Sequence, residues 1–287
     1  MDSTAVKKIN PLTSLMRQPK IYIRLPSNGQ YWTEGSLNQT TNGEYPVFSM
    51  TAKDELMLKT PDALLNGQAV VDVIQSCMPN IIDAWAIPNI DIDVILIAIR
   101  LATFGENMDT TINIGEEDMT YTVNLREVLD RLQNQISWQE RLEIGKEMVL
   151  FIKPVNYAVA SQTSIQNFET QKILSLVNSS QLTEEQKIET FRESFKKLTS
   201  ITVDVINSSV YRIESIAGTT EDPDHIKEFL ENSDAHIFDS IKQHLELMRE
   251  QNGLKPIKVR PSQEMIDNGV SEEIEIPLTF DPANFFA

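Results

Sequence analysis

The sequence predicts an α+β chain, with a small mixed αβ domain first, an antiparallel helical bundle next and a short C-terminal β segment last. Three observations carry this. Ile21, Ile23 and Leu25 alternate with Tyr22 and Arg24, which is strand spacing, and the run ends at the turn sequence Pro26-Ser27-Asn28-Gly29. Between Asp91 and Phe104 apolar residues occupy positions 92, 94–99 and 101 and so surround most of a helix, the pattern of a buried one. From Glu184 to about Ala217 apolar residues recur in steps of three and four, a continuous helical stripe.

The elements follow in order. Residues 1–18 lack periodicity and read as a flexible basic arm. An αβ domain spans 19–155. Asn42-Gly43 marks a turn, and 45–50 is a second strand whose Pro46 fits an edge or a strand start. Thr51 caps a short helix over 52 to about 59, with its hydroxyl placed to accept from the backbone near Asp54. Asp54 and Glu55 suit the positive end of the helix dipole. A helix over 67–77 carries Val70, Val71, Ile74 and Cys77 on one stripe and stops before Pro79. The apolar helix over 91–104 has Asp91 as its expected cap and Gly105 as its end. Strands over 110–114 and 119–125 flank Gly115-Glu116-Glu117-Asp118. A helix over 126–135 and a strand over 148–152 complete this half.

Residues 156–252 read as the bundle. Its helices run over about 157–177, 184–217 and 225–250, the second opened by the capping box Thr183-Glu184-Glu185-Gln186. Beyond Gly253, segments 257–260 and 273–278 look like a β hairpin. An aromatic acidic tail follows, with Phe280, Phe285 and Phe286. Exposed, these three rings would be costly in water, so they pack on their own domain or dock into a partner. They are the candidate docking residues.

Composition narrows the function. The 287 residues carry a net charge of −17, which argues against nucleic acid as the main partner. The charge is uneven. Lys7, Lys8, Arg17 and Lys20 make the first 20 residues positive, and the remainder is the more acidic for it. No apolar run is long enough to span a membrane, and no signal peptide is expected behind Lys7 and Lys8. The lone Cys77 rules out an intramolecular disulfide framework and a cysteine-cluster zinc site. It lies on an apolar stripe and reads as a packing residue.

Catalytic motifs are missing. No nucleophile elbow, phosphate-binding loop, dinucleotide fingerprint or His-Glu-x-x-His is present. His225, His236 and His244 lack the three- or four-residue spacing of helical metal ligands. Asp91 and Asp93 point about 200° apart on a helix and cannot pair. No catalytic, cofactor-binding or metal-binding residue is assigned, and no cofactor or small-molecule substrate is expected. What remains is interaction, through long amphipathic helices, a basic arm and an aromatic tail.

Several stretches resemble a known family. They are Leu25-Pro26-Ser27-Asn28-Gly29-Gln30-Tyr31-Trp32, Tyr45-Pro46-Val47-Phe48-Ser49-Met50-Thr51-Ala52-Lys53-Asp54-Glu55, Lys59-Thr60-Pro61-Asp62-Ala63-Leu64-Leu65-Asn66-Gly67, Val73-Ile74-Gln75-Ser76-Cys77-Met78-Pro79-Asn80-Ile81 and the run from Asp91 through Arg100 to Gly105. Together they resemble the T-even-like contractile-tailed phage baseplate hub and hub-assembly proteins. The resemblance covers about residues 20–125, with a weaker echo at Phe280-Asp281-Pro282-Ala283-Asn284-Phe285-Phe286. It implies a non-enzymatic structural or assembly protein whose partners are other hub or tail proteins and a second copy of the chain. It places the chain in the virion tail baseplate, or in the bacterial cytoplasm during assembly. Some relatives carry a cysteine pair before the segment matching Tyr121 to Leu125. Here Ile114-Gly115-Glu116-Glu117-Asp118-Met119 has none, so no zinc ribbon is implied. The alternative reading is a protein-binding module or regulator acting on host proteins.

Overall fold

The computed structural model describes residues 12, 16–59, 67–114, 117–134, 138–179, 184–261, 266 and 271–276. The tail residues Phe280, Phe285 and Phe286, the cap Thr183 and most of the basic arm lie outside them. The fold is α+β, as predicted.

Strands β1 (Pro19–Ile23) and β2 (Tyr45–Phe48) pair antiparallel. Between them Asn28 and Gly29 take φ of 53° and 77°, the left-handed pair at the centre of the turn closed by Gln30 N–H to the Ser27 carbonyl. Helix α1 (Ala52–Leu58) starts at Thr51 in a full capping box, in which Thr51 and Asp54 satisfy each other's backbone amides. Helix α2 (Gln68–Cys77) follows, with Gly67 at its N-cap in the left-handed region at φ 75°. A side chain there would meet Ser161 Oγ at 2.8 Å and the Trp85 ring at 3.2 Å, so the position needs glycine for both backbone and space.

A 3-10 turn (Ala84–Ala86) leads to helix α3 (Asn89–Phe104), which ends at Gly105. Val94, Ile95, Ile97, Ala98 and Ile99 are each 1% exposed or less. The all-round apolar helix is therefore the axis of a first core, and β1, β2, α1 and α2 pack around it. The hairpin β3 (Asn107–Ile114) and β4 (Glu117–Asn124) and helix α4 (Leu125–Gln133), capped by Asn124, complete this unit.

A four-stranded antiparallel sheet follows, in the order β5 (Arg141–Ile144), β6 (Met148–Ile152), β7 (Val210–Ser215), β8 (Gly218–Thr220). Between β6 and β7 the chain makes a long helical excursion, α5 (Tyr157–Ser179) and α6 (Glu184–Ser209). Helices α7 (Pro223–Glu231) and α8 (Ala235–Asn252) pack on the sheet, where Leu150, Ile152, Ile206, Ile213, Ile226 and Ile241 form a second core. A last hairpin joins β9 (Ile257–Val259) and β10 (Ile274–Ile276).

Three element readings need correction. The helix expected to reach residue 217 stops at Ser209, and the next six residues are β7. The cause is a β-bulge. Ile152 faces Val210 and Phe151 faces Arg212, so Tyr211 is an extra residue. The bulge lets Val210 and Ile213, three apart, bury on the same side of a strand, and that spacing imitates a helix. The helix expected over 225–250 is two helices, interrupted at Asn232, Ser233 and Asp234. Asp91 is not a cap. Pro88 holds that position and Asp91 is buried inside the first turn of α3.

Leu96, 6% exposed in the first core, gives the sharpest test of this packing. Leu96→Asp would bury a charge with no partner, a change expected to cost more than about 4 kcal/mol. Circular dichroism should show loss of the cooperative melt. A melt within a few degrees of the parent would show that α3 is not the core helix.

Candidate functional site

The described residues contain no group of three or more His, Cys, Asp or Glu side chains placed to hold a metal ion. His225 is on the first turn of α7, and His236 and His244 are on α8. His244 is buried, with Nε2 2.8 Å from the Gln139 carbonyl oxygen. Cys77 is fully buried, and its thiol pKa is pushed up to about 12, chiefly by desolvation and then by Asp54. That is the reverse of nucleophile activation.

Two polar clusters organise the molecule instead. In the first, the Asp91 carboxylate accepts from Ser27 N–H at 2.8 Å, Ser27 Oγ–H at 2.5 Å and Trp32 Nε1–H at 2.9 Å. Burial pushes its pKa up to about 6, while the bonds from Ser27 and Trp32 pull it down. At neutral pH it is the ionised acceptor that these three donors match, and it pins the 25–32 turn onto α3. Asp93 contrasts with it. This half-buried carboxylate makes no hydrogen bond or ion pair among the described residues, and desolvation alone pushes it up to about 6.

The second cluster sits at residues 138–140, before β5. Glu140 accepts from Tyr31 Oη–H at 2.6 Å and from Tyr211 Oη–H at 3.0 Å. Burial first, and then the bond to Glu140, raises both phenol pKa values, that of Tyr211 to about 12. Trp138 Nε1–H donates to the Ile152 carbonyl at 2.8 Å, and Ile152 N–H donates to the Glu140 carbonyl at 2.7 Å. Tyr31 belongs to the first unit and Tyr211 to the bulge of the second, so Glu140 bridges them. Tyr31 holds a left-handed φ of 67°, a conformation uncommon outside glycine and asparagine. Sequence reasoning missed Glu140, because the bulge that aims Tyr211 leaves no local signature.

The surface carries the interaction features. Helices α5 and α6 form an antiparallel hairpin, with Glu169 and Lys197 3.1 Å apart across it. Among the described side chains, neither core includes any from 158 to 205. Phe168 is 60% exposed and Ile188 57%. Two open hollows flank the hairpin's base. One, of about 410 Å³, lies between α6, α7 and α8 and includes Asn207 and Phe238. The other, of about 360 Å³, lies against Trp85 and includes Ile165 and Lys197. At the arm, Arg17 donates to the backbone carbonyls of Ser49 and Ser76, both at 2.5 Å, and lies 3.6 Å from Asp54. The arm's last turn is thus anchored on α1 and α2. The candidate docking residues Phe280, Phe285 and Phe286 lie outside the described residues, so their surroundings are not part of this site.

Asp93 predicts a pH dependence. Its pKa is higher folded than unfolded, so the folded state binds the proton more tightly. Stability therefore falls as pH rises from about 4 to about 6 and is flat above. Asp93→Asn should stabilise the protein by about 1–2 kcal/mol at pH 8 and by almost nothing at pH 4. Urea melts at the two pH values check this, and an equal effect at both would contradict it.

The sequence matches the family described as T4 bacteriophage base plate protein over residues 16–260. No curated protein and no solved structure matches it. The match spans most of the chain, from the anchored end of the arm through both cores to the strand after α8, and on that ground the chain belongs to the T4 bacteriophage base plate protein family.

Proposed function

We propose that the chain is a non-enzymatic structural or assembly protein of a phage baseplate hub, acting through protein–protein contacts with other hub or tail proteins. The observation that supports this is the family match over residues 16–260. The placement of the titratable groups is consistent with it. The buried Asp91 and Cys77 and the partly buried Glu140 serve packing and the joint between the two cores, and none lines either open hollow. Exposed apolar side chains on the helical hairpin, Phe168, Ile173 and Ile188, are within a partner's reach. On this reading the terminal rings Phe280, Phe285 and Phe286 are a second docking element.

Mass spectrometry of purified phage particles, scored against a known hub subunit, tests the permanent form of this role. Comparable copy number is expected for a structural subunit. Absence from particles with abundance in infected-cell lysate identifies an assembly factor, or a binder of host proteins if the co-purifying partners are the host's. Phe285→Ser with Phe286→Ser tests the tail. Partner binding should be lost with the melting temperature unchanged. A large fall in melting temperature would instead place those rings in the protein's own core.

A further inference from the structure

We infer that residues 4–9 of the basic N-terminal segment dock along an open edge of the β3–β4 ribbon of the same chain, as its third strand. The contact is internal to the chain and independent of the partners that the chain meets in a baseplate.

The ribbon is incomplete on its own. Strands β3 and β4 have eight residues each, about 27 Å, and form a sheet of two. Among the described residues no further strand takes up the backbone N–H and C=O groups along its two outer edges. A two-stranded ribbon is marginal in water, and a third strand or a packed face is what stabilises one. Packing holds this ribbon at its base, where Val123 is in the first core and Met108 lies against it. Beyond them the same side continues with Thr110, Tyr121 and Met119, which are half-buried and belong to neither core. The other side is polar and exposed at Asn107, Asp109, Thr111, Thr120 and Thr122. There Thr122 donates to Asp109 at 2.6 Å, and the Thr111 and Thr120 hydroxyls are 3.2 Å apart.

Charge and position together select the occupant. Between residues 101 and 125 the acidic residues are Glu106, Asp109, Glu116, Glu117 and Asp118, and there is no Lys or Arg. Arg126 offsets one of them, 3.5 Å from Glu106. Such a ribbon repels an acidic strand, the ribbon of a second copy included, and attracts a basic one. The stretch Thr4-Ala5-Val6-Lys7-Lys8-Ile9 is basic, and its Thr, Val and Ile favour extended backbone. It is also tethered nearby. Arg17 donates to the Ser49 carbonyl at 2.5 Å, and the next residue, Met50, donates its N–H to Thr103 Oγ1 at 3.0 Å. Thr103 is in the last turn of α3, and Asn107 opens β3 four residues on, at most about 15 Å away along the chain. The tether and the base of the ribbon therefore share one end of the first core. Ile9 lies eight residues before Arg17, a reach of up to about 27 Å. The six residues Thr4 to Ile9 then cover about 20 Å of the ribbon.

Amide hydrogen exchange of the purified full chain, read by mass spectrometry on peptides covering residues 107–124, tests this. Deleting residues 2–11 should speed exchange of the ribbon's edge amides at least about tenfold, while the amides of α3 keep their protection and so report an intact core. Lys7→Glu with Lys8→Glu should speed the same amides with the backbone of the segment still present. Lys7→Arg with Lys8→Arg keeps the charge and should leave the protection in place. Ribbon exchange that is the same with and without residues 2–11 overturns the inference. So does exchange that the two glutamates leave unmoved. Protection that grows with protein concentration also overturns it, since the strand would then come from a second copy.

Discussion

The Glu140 carboxylate holds the two halves of this molecule in one arrangement. Each half has its own core, one wrapped on α3 and one between the four-stranded sheet and its helices. Two separately packed cores can slide unless directional contacts fix them. Glu140 supplies such contacts by accepting from Tyr31 of one unit and Tyr211 of the other. A charged acceptor shared by two hydroxyls is stronger than a neutral pair and tolerates little change in geometry. Its neighbours complete the joint, with Trp138 bonded to the Ile152 carbonyl and the Gln139 carbonyl against His244. A second tie runs through the backbone, from Asn89 N–H to the Val155 carbonyl and from Tyr157 N–H to the Ile87 carbonyl, both short. Trp85 stacks on Tyr157 at the same place. The base of the hairpin is thus fixed to the first core at its α5 end and to the second at its α6 end. That sets the direction in which the arm projects.

How much of this could be read from residues alone depended on how local the cause was. The α3 helix was legible because its apolar residues leave no polar face, and only burial satisfies that pattern. The Thr51 cap was legible because both partners lie within four residues. The pair β3–β4 was legible from two polar-apolar runs across one turn, although each strand begins a few residues earlier than its pattern suggests. The failures share a different cause. Val210 and Ile213 have helical spacing because a bulge inserts Tyr211 between them, and a bulge is defined only against the partner strand. Strand β5 lies at the edge of its sheet with alternate residues exposed, and its four residues give too short a run to stand out. Asp91 has the sequence context of a cap, yet its acceptors are filled by Ser27 and Trp32, more than fifty residues away. The Glu140 joint draws its donors from residues 109 positions before it and 71 after it, so no window along the chain contains it.

The distribution of charge is as informative as its total. A net charge of −17 favours solubility and opposes close approach of like bodies. The near-neutral hairpin and the positively charged N-terminal stretch are the two exceptions. Arg17 shows how one of them is used, since its guanidinium is spent inside the molecule on the Ser49 and Ser76 carbonyls beside Asp54. The hairpin's charges are used differently. They form interspersed pairs such as Glu169–Lys197 and Glu189–Arg192. Exposed pairs of this kind add little stability, but they keep the arm soluble without giving it a net sign.

Separating the arm from the cores has a mechanical consequence. Local stability follows the density of buried apolar contacts, and none of the hairpin's described side chains between residues 158 and 205 belongs to either core. Among its described side chains, Thr170 and Ser194 are buried in the middle of the hairpin, small polar residues whose burial contributes little. Thr170 returns its hydroxyl to the Gln166 carbonyl of its own helix rather than bonding across the seam. The arm can therefore adjust its two helices to a partner at small cost, while Ile201 and Ile206 at its base stay buried. Neither α3 nor the sheet needs to move for this to happen. A part of a large assembly benefits from that division, because the region that adapts to its neighbours is not the region that keeps the chain folded.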